Sequence, residues 1–268
     1  MKTAFGIDIG GSGIKGAPVN LKTGSLIGKR YRIPTPEVST PENVAATVKK
    51  IVDHFDPSPG IPVGVALPAP VIHGEVTWMA NLHGDWVGTN VETLFRTYLG
   101  RDVTVVNDAD AAGYGEAEYG AAKGIPGPIL VTTLGTGIGS ALVVNHELVP
   151  NTEFGHLTLP NGKEAEHWAA SSVKEREGLS WEEWAARLED VYSQFELLLN
   201  LDLIIVGGGI SKDANNFLPL LKTRAPIVPA TLKNSAGIIG AAALAARAAR
   251  IRDLAEAQAT ATKKKKKR

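Results

Sequence analysis

A glycine-punctuated apolar stretch at residues 4–20, AFGIDIGGSGIKGAPVN, constrains the fold more than any other part of the chain. Ala4, Phe5, Ile7 and Ile9 form an apolar run too short for a helix. Gly10, Gly11 and Gly13 interrupt it, and Ile14 to Val19 resumes an extended pattern. The pattern predicts strand, tight turn, strand. Glycines let backbone N–H groups approach an anion with no Cβ in the way. Ser12 adds a hydroxyl donor, Lys15 a cation, and Asp8 a carboxylate able to hold a metal ion beside a phosphate. Taken alone, the stretch reads equally well as an ordinary structural hairpin.

A second copy moves the balance. Residues 129–145, ILVTTLGTGIGSALVVN, again run from apolar strand through a hydroxyl- and glycine-bearing turn to apolar strand. With Gly10 laid on Gly135, Gly11-Ser12-Gly13 covers Thr136-Gly137-Ile138, and Asn20 falls on Asn145. A structural turn has no reason to recur with the same chemistry. The repeat therefore predicts a duplicated fold with one phosphate hairpin per half. Leu203 to Val206 then reads as a buried strand that runs into Gly207-Gly208-Gly209 and a helix start, where a nucleotide or further phosphates can approach the backbone. A full dinucleotide fingerprint is missing, which argues against NAD.

Between the hairpins the spacing predicts a third strand over Ser25 to Ile33, a helix over Pro41 to Phe55 and a buried strand over Ile61 to Leu67. An irregular stretch from Pro68 to Gly88 holds Trp78, Asn81, His83, Asp85 and Trp86, side chains suited to ligand contact or to pinning a surface loop. A strand at Val103 to Val106 ends in Asn107-Asp108. Side chains just past the carboxyl end of a strand point into the ligand crevice of an open α/β fold. Asp108 also suits the N-cap of the next helix, Ala109 to Ala122. In NTEFGHLTLP, residues 151–160, Glu153 and His156 flank a glycine and are candidates for polar ligand contacts. A zinc site there is poorly supported, with His167 the one nearby histidine and no cysteine in the chain. Ser180 and Glu183 form a capping box at the start of a long amphipathic helix, and a final helix is predicted over Asn234 to Gln258.

Composition sets outer limits. The chain has 268 residues, 44% hydrophobic and 21% charged, enough for a substantial core. It has no run of eighteen apolar residues, no signal-peptide pattern and no cysteine, so a cytoplasmic protein without membrane contact is the simplest expectation. The formal charge is zero, yet Lys263 to Arg268 are all basic, which leaves the rest of the chain at −6. That tail is expected to be disordered. It would serve solubility or be an appended segment, or alternatively attract a polyanion. An acidic body argues against a nucleic-acid surface.

These pieces in this order resemble the ROK sugar kinases of the actin/sugar-kinase architecture. The carrying motifs are DIGGSGIKG at 8–16, NDADAAGYGE at 107–116, TLGTGIGSAL at 133–142, EFGH at 153–156 and IIVGGGIS at 204–211. The stretches EAEHWAASS at 164–172 and LSWEEWAARL at 179–188 resemble the polyphosphate-using branch. The resemblance implies an α/β, actin-like and hexokinase-like (ribonuclease H-like) duplicated fold, in two lobes with a sugar/phosphate cleft between them. Residues 1–108 would form a small N-terminal lobe joined by the C-terminal helix 236–258. Residues 109–235 would form the large lobe, and 259–268 a disordered basic tail.

It also implies transfer of a phosphoryl group from polyphosphate, ATP or both to the 6-hydroxyl of glucose, or of glucose and mannose. Asp108 would be the general base. Asn81, Asn107, Glu153, His156 and Glu166 would hold the other sugar hydroxyls. Gly10, Gly11, Ser12, Gly13 and Lys15 would bind the donor phosphates, as would Thr133, Gly135, Thr136, Gly137 and Gly139, with Asp8 near Mg²⁺. Gly207, Gly208 and Gly209 would lie at the donor's far end. A homodimer is expected, and no zinc. Typical members carry a zinc-binding cysteine cluster after the E-x-G-H stretch that orients the histidine; with no cysteine here, His156 needs another orienter. An ATP-only kinase for another hexose and a non-catalytic sugar sensor are the competing readings. The sensor reading is disfavoured because the first hairpin begins at Phe5, leaving no room for a DNA-binding module.

Overall fold

The computed structural model describes the backbone of residues 1–266 and the side chains of residues 1–259. The chain forms two compact units. One comprises residues 1–106 and the chain from Ala241 onward; the other is Asn107–Gly240.

The first unit opens with β1 (Thr3–Gly10) and β2 (Gly13–Asn20), antiparallel from Thr3 opposite Asn20 to Gly10 opposite Gly13. β3 (Ser25–Leu26) and β4 (Tyr31–Ile33) both pair with β2. The expected continuous strand over 25–33 is thus broken. Gly28 takes a left-handed φ of 82°, and the exposed Lys29 and Arg30 give the segment no apolar face to bury. α1 (Pro41–Phe55) starts where expected, with Thr40 accepting the Asn43 N–H and Pro41 filling a position whose N–H has no helical partner. β5 (Val63–Leu67) runs parallel to β1, and β6 (Val71–Ile72) and β7 (Glu75–Val76) make a separate ribbon. α2 (Val91–Leu99) and β8 (Val103–Asn107) follow. The sheet order is β3-β2-β1-β5-β8. Its core gathers Phe5, Ile7, Ile9 and Ile14 from the hairpin with Val44, Val48 and Ile51 of α1 and the buried rings of Trp86 and Phe95.

The second unit repeats the plan. α3 (Asp108–Tyr119) leads to β9 (Pro128–Leu134) and β10 (Ile138–Val144), an antiparallel hairpin followed by β11 (Glu147–Val149). α4 (Ala165–Ala169), α5 (Ser171–Glu177) and α6 (Trp181–Leu198) pack below, the last opened by the Ser180–Glu183 capping box. β12 (Leu203–Gly207) lies parallel to β9 and β13 (Ile227–Pro229) parallel to β12, giving the order β11-β10-β9-β12-β13. Apart from the extra β4 this order matches that of the first sheet, so the duplication read from the two hairpins extends to the sheets. The overlay holds on the return strands, which Gly13 and Ile138 begin. It slips by a residue before them: two residues turn between Gly10 and Gly13, three between Leu134 and Ile138.

α7 (Ala236–Lys266) ends the described chain. Its first turns are buried and small. At Gly240 a Cβ would strike the Ala111 carbonyl of α3, so only glycine permits the approach. Beyond Arg250 the helix is solvent-facing as far as its side chains are described. It runs past its expected end at Gln258, and most of the expected disordered tail is helical backbone. The sequence ATATKKKK has no glycine or proline to stop it, and alanine and lysine propagate a helix cheaply. The last two residues of that tail lie outside the described residues. Among the described residues no helix is long and apolar enough to cross a membrane.

Candidate active site

In the first unit, hydrogen-bond register builds the glycine turn. Asp8 and Lys15 lie directly opposite each other on β1 and β2, and Lys15 Nζ sits 2.9 Å from Asp8 Oδ2. The carboxylate and the ammonium expected to serve a metal and a phosphate therefore neutralise each other here. Arg32, opposite Lys15 on β4, donates from Nη2 to the Ser12 carbonyl at 2.6 Å. Thr35 Oγ1 donates to the Gly10 carbonyl at 2.5 Å. Arg32 and Thr35 were not anticipated from the sequence. The available signal was register, since any strand over 31–33 pairing with β2 brings Arg32 beside the turn. Asn81 is exposed, with its carbonyl 3.8 Å from the place a Gly11 Cβ would take. A single carboxylate beside phosphate-type N–H groups is the donor set Mg²⁺ accepts, with water and phosphate completing its shell. Asp8 fits that role if Lys15 turns to the phosphate.

In the second unit, α3 starts on a cap. Asn107 Oδ1 accepts the N–H groups of Ala109 at 2.8 Å and Asp110 at 3.1 Å. The N-cap is therefore Asn107, which is buried, and Asp108 is the first helical residue. Asp108 remains partly exposed, its Oδ1 accepting the Ala109 N–H at 2.8 Å. Asp110 was also unanticipated. It is 2% exposed; Oδ2 accepts the Asn151 N–H at 2.7 Å and Oδ1 has no hydrogen-bond partner. Burial pushes its carboxyl up to about 7, against the Asn151 hydrogen bond and with help from the charge of Glu153.

Asp110 ties α3 to the segment bearing Glu153 and His156. Asn151 takes a left-handed φ of 58°. Ser140 of β10 donates from Oγ to the Thr152 carbonyl at 2.7 Å and accepts the Phe154 N–H at 3.0 Å. A 3-10 turn over Phe154–His156 follows. Burial raises the Glu153 carboxyl; His156 opposes and Glu166 adds to the shift. Burial opposes charge on His156, but the Glu164 hydrogen bond and the carboxylates of Glu166, Glu164 and Glu153 outweigh it and raise its pKa. Glu166 Oε2 accepts the Ile138 N–H at 3.3 Å and its Oε1 lies 3.9 Å from His156 Nδ1, so it joins the second hairpin to the histidine. Ligand atoms of His156, Glu164 and Glu166 all lie within 4.8 Å of one another, a span one cation would bridge. Here Glu164 and His156 are hydrogen-bonded to each other.

The second glycine turn is pinned by α5. The Gly135 carbonyl accepts Ser171 Oγ at 3.0 Å and the Ser172 N–H at 3.1 Å, and the Thr136 carbonyl accepts Ser172 Oγ at 2.7 Å. Thr133 and Gly139 face each other across the hairpin, and Gly207 of β12 pairs with Thr133. Gly208, at φ 86° and ψ 176°, lies on the Leu134 backbone, where a Cβ would collide. The run after Gly208 is a kinked 3-10 segment, Gly209–Asn216, not the α-helix expected, because Gly208 and Asp213 depart from helical angles. Gly208→Ala is expected to lose about 1–3 kcal/mol of stability through backbone strain. Thermal unfolding of the variant reads the loss.

The structure thus brings Asn107, Asp108, Glu153, His156, Glu166, the second hairpin and Gly207–Gly209 into one hydrogen-bonded neighbourhood. Asp8, Gly10–Gly13, Lys15 and Asn81 belong to the first unit. The model of the ROK family matches residues 4–171. The chain is 50% identical over 239 residues to a polyphosphate glucokinase of Mycobacterium tuberculosis, covering 89% of both chains. It is 48% identical over 239 residues to that of Mycobacterium leprae, covering 89% of this chain and 73% of the other. The crystal structure of an inorganic polyphosphate/ATP-glucomannokinase from Arthrobacter sp. strain KM superposes with a TM-score of 0.87 at 49% identity, over 92% of this chain and 99% of that one. Two matching sheets, paired glycine turns and an Asn-Asp strand end agree with these likenesses, and the chain belongs to the ROK family.

Proposed function

We propose that the chain transfers the terminal phosphoryl group of inorganic polyphosphate or ATP to the 6-hydroxyl of glucose, with mannose as a second acceptor. One observation carries the chemistry: within the second unit, the start of α3, the 151–156 segment and a glycine hairpin are hydrogen-bonded into one body through Asp110, Ser140 and Glu166. That shared body supports assigning a base, sugar-binding side chains and phosphate-binding N–H groups to it. The 50% identity to a polyphosphate glucokinase supports the donor.

In this reading Asp108 accepts the 6-hydroxyl proton as the sugar oxygen bonds to phosphorus. The phosphorus–oxygen bond to the rest of the donor breaks, and the shortened donor carries away that electron pair. Phosphoryl transfer needs positioning and charge neutralisation more than covalent protein chemistry. Asn107, Glu153, His156 and Glu166, with Asn81 of the first unit, hold the sugar. Donor contacts are assigned to Gly10–Gly13, Ser12 and Lys15 in the first unit. In the second they are assigned to Thr133, Gly135–Gly137, Gly139 and Gly207–Gly209. Asp8 would hold Mg²⁺, which when bound neutralises phosphate charge. A homodimer, suggested by the family resemblance, and a cytoplasmic site of action, suggested by the lack of cysteine, belong to the same proposal.

The test is a coupled glucose 6-phosphate assay with polyphosphate and ATP in parallel. Product from polyphosphate is expected. None from polyphosphate would defeat that donor, and none from either would defeat the kinase reading.

A further inference from the structure

Glu164 has no role in the transfer just described, yet it is the residue most firmly engaged with His156. We propose that Glu164 is the positioning residue for His156, accepting the hydrogen bond from Nδ1–H so that Nε2 is the nitrogen presented to the sugar. This rests on reading 151–156 as the acceptor segment.

The geometry is specific. Glu164 Oε1 is hydrogen-bonded to His156 Nδ1, and its other oxygen lies 3.2 Å from His167 Nδ1. One carboxylate oxygen is thus held by His156, and the other lies within ion-pair distance of the exposed His167. Which ring nitrogen of a histidine carries a proton is set by the hydrogen bond the other makes. An acceptor fixed on Nδ1 selects one tautomer and one ring face.

The backbone is built to deliver that acceptor. The chain leaves the 3-10 turn at His156, runs out and returns: Thr158 bridges Glu164, the Ala165 N–H donates to the Leu157 carbonyl at 2.9 Å, and the Leu159 N–H donates to the Lys163 carbonyl at 2.8 Å. This closed loop brings position 164 back beside position 156. Glu164 stands at the N-cap of α4, where an acidic side chain ordinarily turns back onto the helix N–H groups. Its side chain makes no such bond. It reaches His156 instead. Glu153 and Glu166 also face the ring, but Glu166 Oε1 is 3.9 Å from Nδ1, beyond hydrogen-bond reach, and its other oxygen is committed to the second hairpin.

The test compares Glu164→Ala, Glu164→Gln, His156→Ala and the Glu164→Ala/His156→Ala double variant in the coupled assay, with glucose affinity by calorimetry. Glu164→Ala is expected to raise the glucose KM roughly tenfold to a hundredfold, by analogy with the loss when the hydrogen-bond partner of a metal-ligating histidine is removed. The donor KM should hold. Glu164→Gln, which keeps an oxygen able to accept from Nδ1, should recover part of the loss. In the His156→Ala background, removing Glu164 should add little, because a residue acting through His156 has nothing left to position. A glucose KM within twofold of the wild type in Glu164→Ala overturns the proposal. So does an undiminished further loss in the double variant. A stoichiometric transition metal in the purified wild-type protein that Glu164→Ala removes also overturns it, since a cation and not a hydrogen bond would then hold the ring. Wild-type protein that makes no glucose 6-phosphate from either donor defeats the kinase reading instead, so the two failures are distinguishable.

Discussion

Asp108→Asn should bind glucose with near wild-type affinity and turn over roughly two to four orders of magnitude more slowly, the scale of general-base catalysis. Asn107 supplies the α3 cap through its own Oδ1, so Asp108 is not needed to start the helix, and its side chain stays partly exposed at the carboxyl end of β8. Asparagine keeps the side-chain oxygen that accepts the Ala109 N–H and loses only the capacity to take a proton. Calorimetry with glucose and the coupled assay read the two halves separately. Near-normal turnover would remove Asp108 from the role.

The control with most power is the neighbouring acid. Asp110→Asn is expected to stabilise the protein at pH 8 and to destabilise it at pH 4, by about the cost of its unpaired amide. The Asp110 carboxyl is raised from its ordinary 3.8 to about 7 by burial. A group raised on folding binds more protons in the folded state. Its contribution is therefore fully present below the unfolded value and is lost as pH climbs through the folded one. The window is pH 3.8 to about 7. Across it the wild type gives up at most roughly 4 kcal/mol relative to a side chain that cannot ionise. Asparagine can still accept the Asn151 N–H. It pays about 1–3 kcal/mol if its amide finds no partner where Oδ1 now has none. The net gain at pH 8 is about 1–3 kcal/mol. Chemical denaturation of both proteins at several pH values measures it; parallel curves would mean that Asp110 ionises normally. The same variant separates the two acids by rate. A turnover loss as large as that of Asp108→Asn would transfer the base assignment to position 110.

Much of this was legible in the chain. Both hairpins, α1 from Pro41 to Phe55 and the Ser180–Glu183 capping box follow from local signals within a few residues, which sequence records directly. The duplicated sheets followed from one internal repeat. The residues that escaped notice act at a distance. Arg32 reaches Ser12 only because β4 pairs with β2 in one register, and Asp110 meets Asn151 across 41 positions. Glu164 depends on a loop that leaves His156 and returns. Asn107 and Asp108 were both visible, but their division of labour was not, because two adjacent side chains capable of capping differ only in backbone angles. The broken third strand and the extended α7 show local preference deciding where no buried face constrained it.

The two glycine turns, alike in topology, grip by different physics. The first carries an ion pair, Lys15 with Asp8, and a guanidinium, Arg32, on the Ser12 carbonyl, beside the Thr35 hydroxyl on the Gly10 carbonyl; the second is fastened by neutral hydroxyls alone, with Ser171 and Ser172 on its carbonyls. Dissolved ions screen the first kind of attraction within about 10 Å at 0.1 M and leave short hydrogen bonds nearly untouched. Affinity for a polyanion would then have two parts: one that fades as the medium grows saltier, and one that persists.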